Sequence, residues 1–121
     1  MPIDHMVLMA SDIEHSARWY GDLFAALGYK KTRDHVWVAA NGIAIDLRPA
    51  QDRSTPYKRF GPGLNHIGIV RDDRAAVNAI ASAMTKAGHA VPDGQDFPEG
   101  YAIFFKDPDG MRVEIGCMES A

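Results

Sequence analysis

DHMVLMASD (residues 4–12) and NHIGIVRDD (residues 65–73) are two versions of one stretch, and they decide how the whole chain is read. A histidine opens each copy, aliphatic residues follow, and an aspartate closes it. The interval from His5 to His66 recurs between Asp12 and Asp73. Internal repetition fixes architecture before any other signal, because each copy must fold as one supersecondary unit. The copying continues downstream. Asn41-Gly42 precedes IAIDL (43–47) and Asp109-Gly110 precedes MRVEI (111–115), so Asp46 and Glu114 stand at equivalent distances past a glycine.

Working outward, residues 3–9 and 66–70 are alternating and aliphatic, which predicts a strand in each copy. Ser11 with Glu14 forms a capping-box pattern for a first helix. Ala17, Tyr20, Phe24 and Leu27 give that helix one apolar face, and Gly28 suits its end. In the second copy Asp72 or Asp73 supplies the cap, Val77, Ile80, Met84 and Ala87 repeat the stripe, and Gly88 ends it. These stripes read as packing against a sheet. Residues 35–40 and 43–48 flank Asn41-Gly42, a hairpin signal. Residues 101–106 and 111–116 flank the turn sequence DPDG. Each module is therefore strand, helix, then two or three antiparallel strands. The expected organisation is a single domain over 1–121, with module one about 1–48, a linker about 49–63 and module two about 64–117. The Pro- and Gly-bearing linker is long for a plain connection and reads equally as a solvated segment or a cover for a site.

Composition narrows the function. At 121 residues the chain can bury roughly two-thirds of its unfolded surface, enough to fold without a staple. A net charge of −3 gives no basic footprint, so neither nucleic acid nor an anionic membrane is expected as a partner. The single cysteine, Cys117, fits a reducing compartment. The start MPIDHMVL has neither a basic leader nor a long apolar run, which points to a cytoplasmic protein.

Alternation along the strands sorts the polar candidates from the core. His5 shares a face with Val7 and Met9, and His66 with Gly68 and Val70. Asp46 shares a face with Ala44 and Arg48, and Glu114 with Arg112 and Gly116. Ile43, Ile45, Leu47, Met111, Val113 and Ile115 fall on the opposite faces, suited to packing under helices. His15, His35 and His89 have no such equivalence and read as ordinary structural histidines. Lys58, Arg59 and Arg53 read as solvated charges.

The stretches DHMVLMASDIEHSARWYGDLFAALGY (4–29), LNHIGIV (64–70) and YAIFFKDPDGMRVEIG (101–116) resemble, in this order, the vicinal oxygen chelate superfamily. That superfamily includes glyoxalase I, extradiol dioxygenases, fosfomycin-resistance enzymes and bleomycin-binding proteins. The resemblance implies an α+β fold in which two βαβββ modules form a curled mixed sheet around a groove. It also implies metal ligands on the first and last strands of each module, at His5, Asp46, His66 and Glu114. Two imidazoles and a carboxylate suit Zn, Ni, Mn or Fe(II) and leave open positions for a chelating substrate. Glyoxalase I-like members carry glutamate where Asp46 stands. Asp46 is a methylene shorter, and four roles stay open for it: fourth ligand, orienting partner of a histidine, general base, or ion-pair partner of Arg48.

The expectation is a metal-dependent, glyoxalase-like lyase or isomerase acting on a small molecule held through adjacent oxygens, with Glu114 and Asp46 as catalytic carboxylates. Trp37, Tyr101, Phe104 and Arg48 are the candidate groove residues. An Fe(II) ring-cleaving dioxygenase is the first alternative. A metal-free, antibiotic-binding protein with an aromatic groove is the second. The resemblance also implies a homodimer, in which His5 and Asp46 of one chain can meet His66 and Glu114 of another.

Overall fold

Both copies of the repeat fold as strand, helix and three further strands. The computed structural model describes residues 2–119. It separates into two compact units, one ending at Pro56 and the next starting at Tyr57. Unit one contains β1 (His5–Ala10), α1 (Ile13–Leu27), β2 (Lys30–Arg33), β3 (Val36–Val38) and β4 (Ala44–Pro49). Unit two contains β5 (His66–Val70), α2 (Arg74–Lys86), β6 (Gln95–Phe97), β7 (Gly100–Lys106) and β8 (Arg112–Met118). The described strands form two open four-stranded sheets, ordered β1-β4-β3-β2 and β5-β8-β7-β6. In each, the first strand lies parallel to the last and the other pairs are antiparallel.

The helices begin where a carboxylate can take an orphan amide. Asp12, rather than Ser11, caps α1, its Oδ1 accepting from His15 N at 3.2 Å. Asp73 caps α2 through Ala76 N at 2.8 Å. A carboxylate here also meets the positive end of the helix dipole, an interaction a serine hydroxyl lacks. Gly28 ends α1 in the left-handed conformation at φ 80°. The α1 face that packs is wider than the expected stripe and adds Ser16, Trp19 and Leu23 to Tyr20, Phe24 and Leu27. In α2, Val77, Ile80 and Met84 are buried, while Ala87 lies past the last helical residue and is exposed.

Burial follows strand alternation closely. In β1, Leu8 and Ala10 are buried while His5, Val7 and Met9 are exposed. Ile45 and Leu47 in β4, and Val113, Ile115 and Cys117 in β8, complete the core faces. The DPDG corner is held by Asp107 Oδ1, which accepts from Asp109 N and Met111 N, both at 2.9 Å. The expected linker is not uniform: its start is in β4, and its end closes on unit two. Tyr57 Oη lies 2.6 Å from the Leu64 carbonyl oxygen, and Asn65 Nδ2 donates to the Arg59 carbonyl at 3.0 Å. At the other end of unit two, Arg74 forks between Asp96 and Glu119 and lies 4.1 Å over the Tyr101 ring. No helix among the described residues is long and apolar enough to cross a membrane.

Gly100 begins β7 where backbone comes closest to backbone. A Cβ there would run into the carbonyl oxygen of Cys117 on β8. Gly100→Ala should destabilise the fold by roughly 1–3 kcal/mol, the cost of forcing extra volume into packed structure. Urea unfolding of the two proteins side by side checks this, and unchanged stability would mean that β7 and β8 separate freely at that end.

Candidate functional site

The four expected ligands fall two to each unit, and the strand register sets each pair. In β1 and β4, His5 is opposite Ala44, two residues before Asp46. In β5 and β8, His66 is opposite Arg112, two residues before Glu114. Each histidine therefore stands on the same sheet face as its carboxylate, one strand over.

In unit two the pair is in contact. His66 Nε2 lies 3.3 Å from Glu114 Oε1. Two donors each about 2.1 Å from one ion are separated by about this distance, so the pair fits a divalent metal. His66 Nδ1 is held by Asn65 Oδ1 at 2.8 Å, which aims Nε2 at Glu114. An Nδ1–H donated to a neighbouring oxygen leaves the lone pair of the neutral ring on Nε2, as a metal ligand requires. The histidine of unit one is held likewise, His5 Nδ1 lying 2.7 Å from Asp4 Oδ2. Asp4 and Asn65 were not among the expected site residues, although each directly precedes its histidine in the repeated stretch. Arg112 does not neutralise Glu114; its Nη1 donates to the Gly110 carbonyl at 2.6 Å.

In unit one the carboxylate is engaged differently. Asp46 Oδ2 accepts from Arg48 Nη2 at 2.7 Å and Nε at 3.0 Å. The Asp46 side chain is 13% exposed and that of Arg48 is 59% exposed. The hydrogen bonds from Arg48, its charge, and the charges of Arg33 and His5 outweigh partial burial and hold the Asp46 carboxyl below its ordinary range. Of the roles left open for Asp46, the ion pair with Arg48 is the one its contacts satisfy. Among the described residues, no three His, Cys, Asp or Glu side chains gather around a point where a metal would sit.

The expected groove residue Trp37 lies elsewhere. Trp37 is 4% exposed, with its ring 5.3 Å from that of Phe24 in the core of unit one. Its partner across the sheet is Ile45, which places it on the helix-facing side. Tyr101 is opposite Cys117, its Oη donates to Asn78 Oδ1 at 2.7 Å, and it is among the residues that line a cavity with Glu114. Phe104 is opposite Glu114 and shares its face, with its ring 6.0 Å from that of His66. Arg48 is on the same face as Asp46, as alternation requires.

The sequence and the fold are both similar to those of known proteins. The sequence model of the Glyoxalase/Bleomycin resistance protein/Dioxygenase superfamily matches residues 2–115. The chain is 29% identical over 121 residues to the uncharacterized protein YqjT of Bacillus subtilis (strain 168), covering 92% of this chain and 94% of that one. It is 25% identical over 118 residues to the metallothiol transferase FosB of Shouchella clausii (strain KSM-K16), covering 93% of this chain and 77% of that one. The fold matches the glyoxylase/bleomycin resistance protein/dioxygenase domain from Frankia sp. EAN1pec with a TM-score of 0.81 and 23% identity, over 100% of this chain and 94% of that one.

The contacts of Asp46 give a pH signature. A carboxylate with a depressed pKa stabilises the fold fully above its unfolded value and loses that contribution as pH falls through the lower, folded one. Followed by carbon-13 NMR, Asp46 should titrate below its ordinary 3.8 in the native protein and return toward it in Arg48→Gln. Titration at or above 3.8 in the native protein would refute the pairing.

Proposed function

The chain belongs to the Glyoxalase/Bleomycin resistance protein/Dioxygenase superfamily, and we propose that it is a divalent-metal-dependent enzyme of the glyoxalase type. Its substrate is a small molecule with two adjacent oxygens, and the reaction is an isomerisation or elimination that moves a proton beside a carbonyl. His5, His66 and Glu114 would hold the ion, which can be Zn, Ni, Mn or Fe(II). When bound, the ion supplies Lewis acidity to the adjacent oxygens of the substrate. The observation that carries the reading is the 3.3 Å approach of His66 Nε2 to Glu114 Oε1, with the ring fixed by Asn65.

The remaining roles belong to the chain's own groups. Glu114 is the carboxylate next to the reacting carbon and takes the proton there. Asp4 and Asn65 set the tautomer and orientation of the two histidines. Asp46 holds Arg48 in a fixed direction on the open face of unit one. We assign the protein to the cytoplasm, in keeping with its one buried, unpaired cysteine. We also take it to act as a homodimer.

The test is metal content by elemental analysis of untagged protein, after reconstitution with each of the four ions. The native chain should hold about one ion per chain, and Glu114→Ala less than about a tenth of that, since removing one of three ligands weakens a site by orders of magnitude. Equal metal in both proteins would remove Glu114 from the site. No metal in the native protein would turn the reading to a metal-free binding protein.

A further inference from the structure

Unit two holds a cavity of about 510 Å³ that reaches Glu114 at one end. That is within the range of pockets that enclose small organic ligands. Its side chains are mostly apolar: Val70, Phe97, Ala102 and Met118 line it together with Glu114. Val70 is 73% exposed and Met118 is 69% exposed. Large apolar side chains left open to solvent around one cavity are costly unless something covers them.

Gly68 and Gly116 are among the lining residues. Gly68 is opposite Glu114 in the register, and Gly116 follows two residues later. A Cβ at Gly116 would lie 3.4 Å from Glu114 Oε2 and 3.2 Å from the Ala102 Cβ. The bare backbone at Gly68 and Gly116 gives the Glu114 carboxylate room to lie close to the sheet. Phe97 is among the lining residues, and its ring contacts Phe104. The Phe97 and Phe104 rings meet edge to face at 6.2 Å and 70°, and Phe104 in turn meets His66 at 6.0 Å. Such edges and faces, with a methionine nearby, suit an aromatic guest.

Charge is the second constraint. The residues lining this cavity include no lysine, arginine or histidine, and the charged ones are Glu99 and Glu114. An anionic tail buried there would lose its water, meet like charge and find no partner.

We propose that the substrate's body, beyond its adjacent oxygens, is an uncharged aromatic ring system that occupies this cavity. Substrates extended by an anionic peptide thiol or a phosphonate are disfavoured there. The inference rests on the placement of Glu114 in the reacting site given above, and it concerns a different part of the substrate.

Three hydroxamates test it on the full chain loaded with Zn or Mn: acetohydroxamate, benzohydroxamate and 4-carboxybenzohydroxamate. All present the same two adjacent oxygens. By calorimetry, benzohydroxamate should bind at least about tenfold more tightly than acetohydroxamate, as burial of a ring implies, and the added carboxylate should cancel that gain. Val70→Lys and Met118→Lys place a cation on the wall at exposed positions that the fold tolerates. Each should weaken benzohydroxamate and strengthen the carboxylated probe. Binding of the first two probes within twofold, with metal bound, would overturn the proposal while leaving the metal reading intact.

A second arm is independent of metal. Benzamide titrated into metal-free protein should shift the amide resonances of Gly68, Ala102 and Gly116. If no metal binds at all, the metal reading fails and these shifts alone decide the cavity. Absence of shifts would overturn the proposal, including the case in which Met118→Lys splits an oligomer that had covered the cavity.

Discussion

In each unit the first strand pairs in parallel with the last, and the register of that pair sets the position of every candidate polar group. A parallel pair needs a crossover, which the helix and the intervening strands provide. The helix then covers one sheet face and leaves the other open. Leu8 opposite Leu47, and Ile69 opposite Ile115, are held beneath the helices by their apolar character. Because side chains alternate, the same register fixes His5 near Asp46 and His66 near Glu114 on the open face. A slip of one residue would bury both histidines and expose the core. The polar residues thus inherit their placement from apolar neighbours, which pay nothing toward chemistry themselves.

This explains which features were legible in the sequence. Period-two alternation assigned His5, Val7 and Met9 to one face of β1, and burial agrees residue by residue. Asp73 as a cap, Gly28 as a helix end and DPDG as a corner are local devices, so local sequence reveals them. Trp37 was misplaced because an aromatic residue at strand spacing suits either face, and nothing local fixes the parity of a three-residue strand. Register against β4 settles it, and register is a long-range property. Asp4 and Asn65 were present in the quoted stretches, but a short side chain beside a histidine signals a hydrogen bond only once the ring direction is known.

The two halves use one backbone device with different side chains, and a single register position explains much of the divergence. Two residues beyond Asp46 stands Arg48; two residues beyond Glu114 stands Gly116. Both positions are on the open face, opposite Met9 and Val70. Where arginine occupies it, two guanidinium N–H groups close on the carboxylate and lower its basicity. Such an ion pair orients the cation but makes the carboxylate a weak base and a poor competitor for a metal. Where glycine occupies it, no donor reaches across, and the carboxylate stays turned toward His66 at 3.3 Å, beside an open cavity.

The same substitution pattern sets the electrostatics of each half. The Asp46 carboxylate is paired with Arg48 and feels the charge of Arg33. The cavity beside Glu114 has carboxylates and apolar walls, so its local charge is negative. A duplicated module kept symmetric would present the same chemistry twice. Divergence at one position converts that symmetry into two distinct surfaces, one with a fixed cation and one with a carboxylate exposed beside a histidine. The register that makes the halves alike in backbone is what allows so small a change to make them unlike in function.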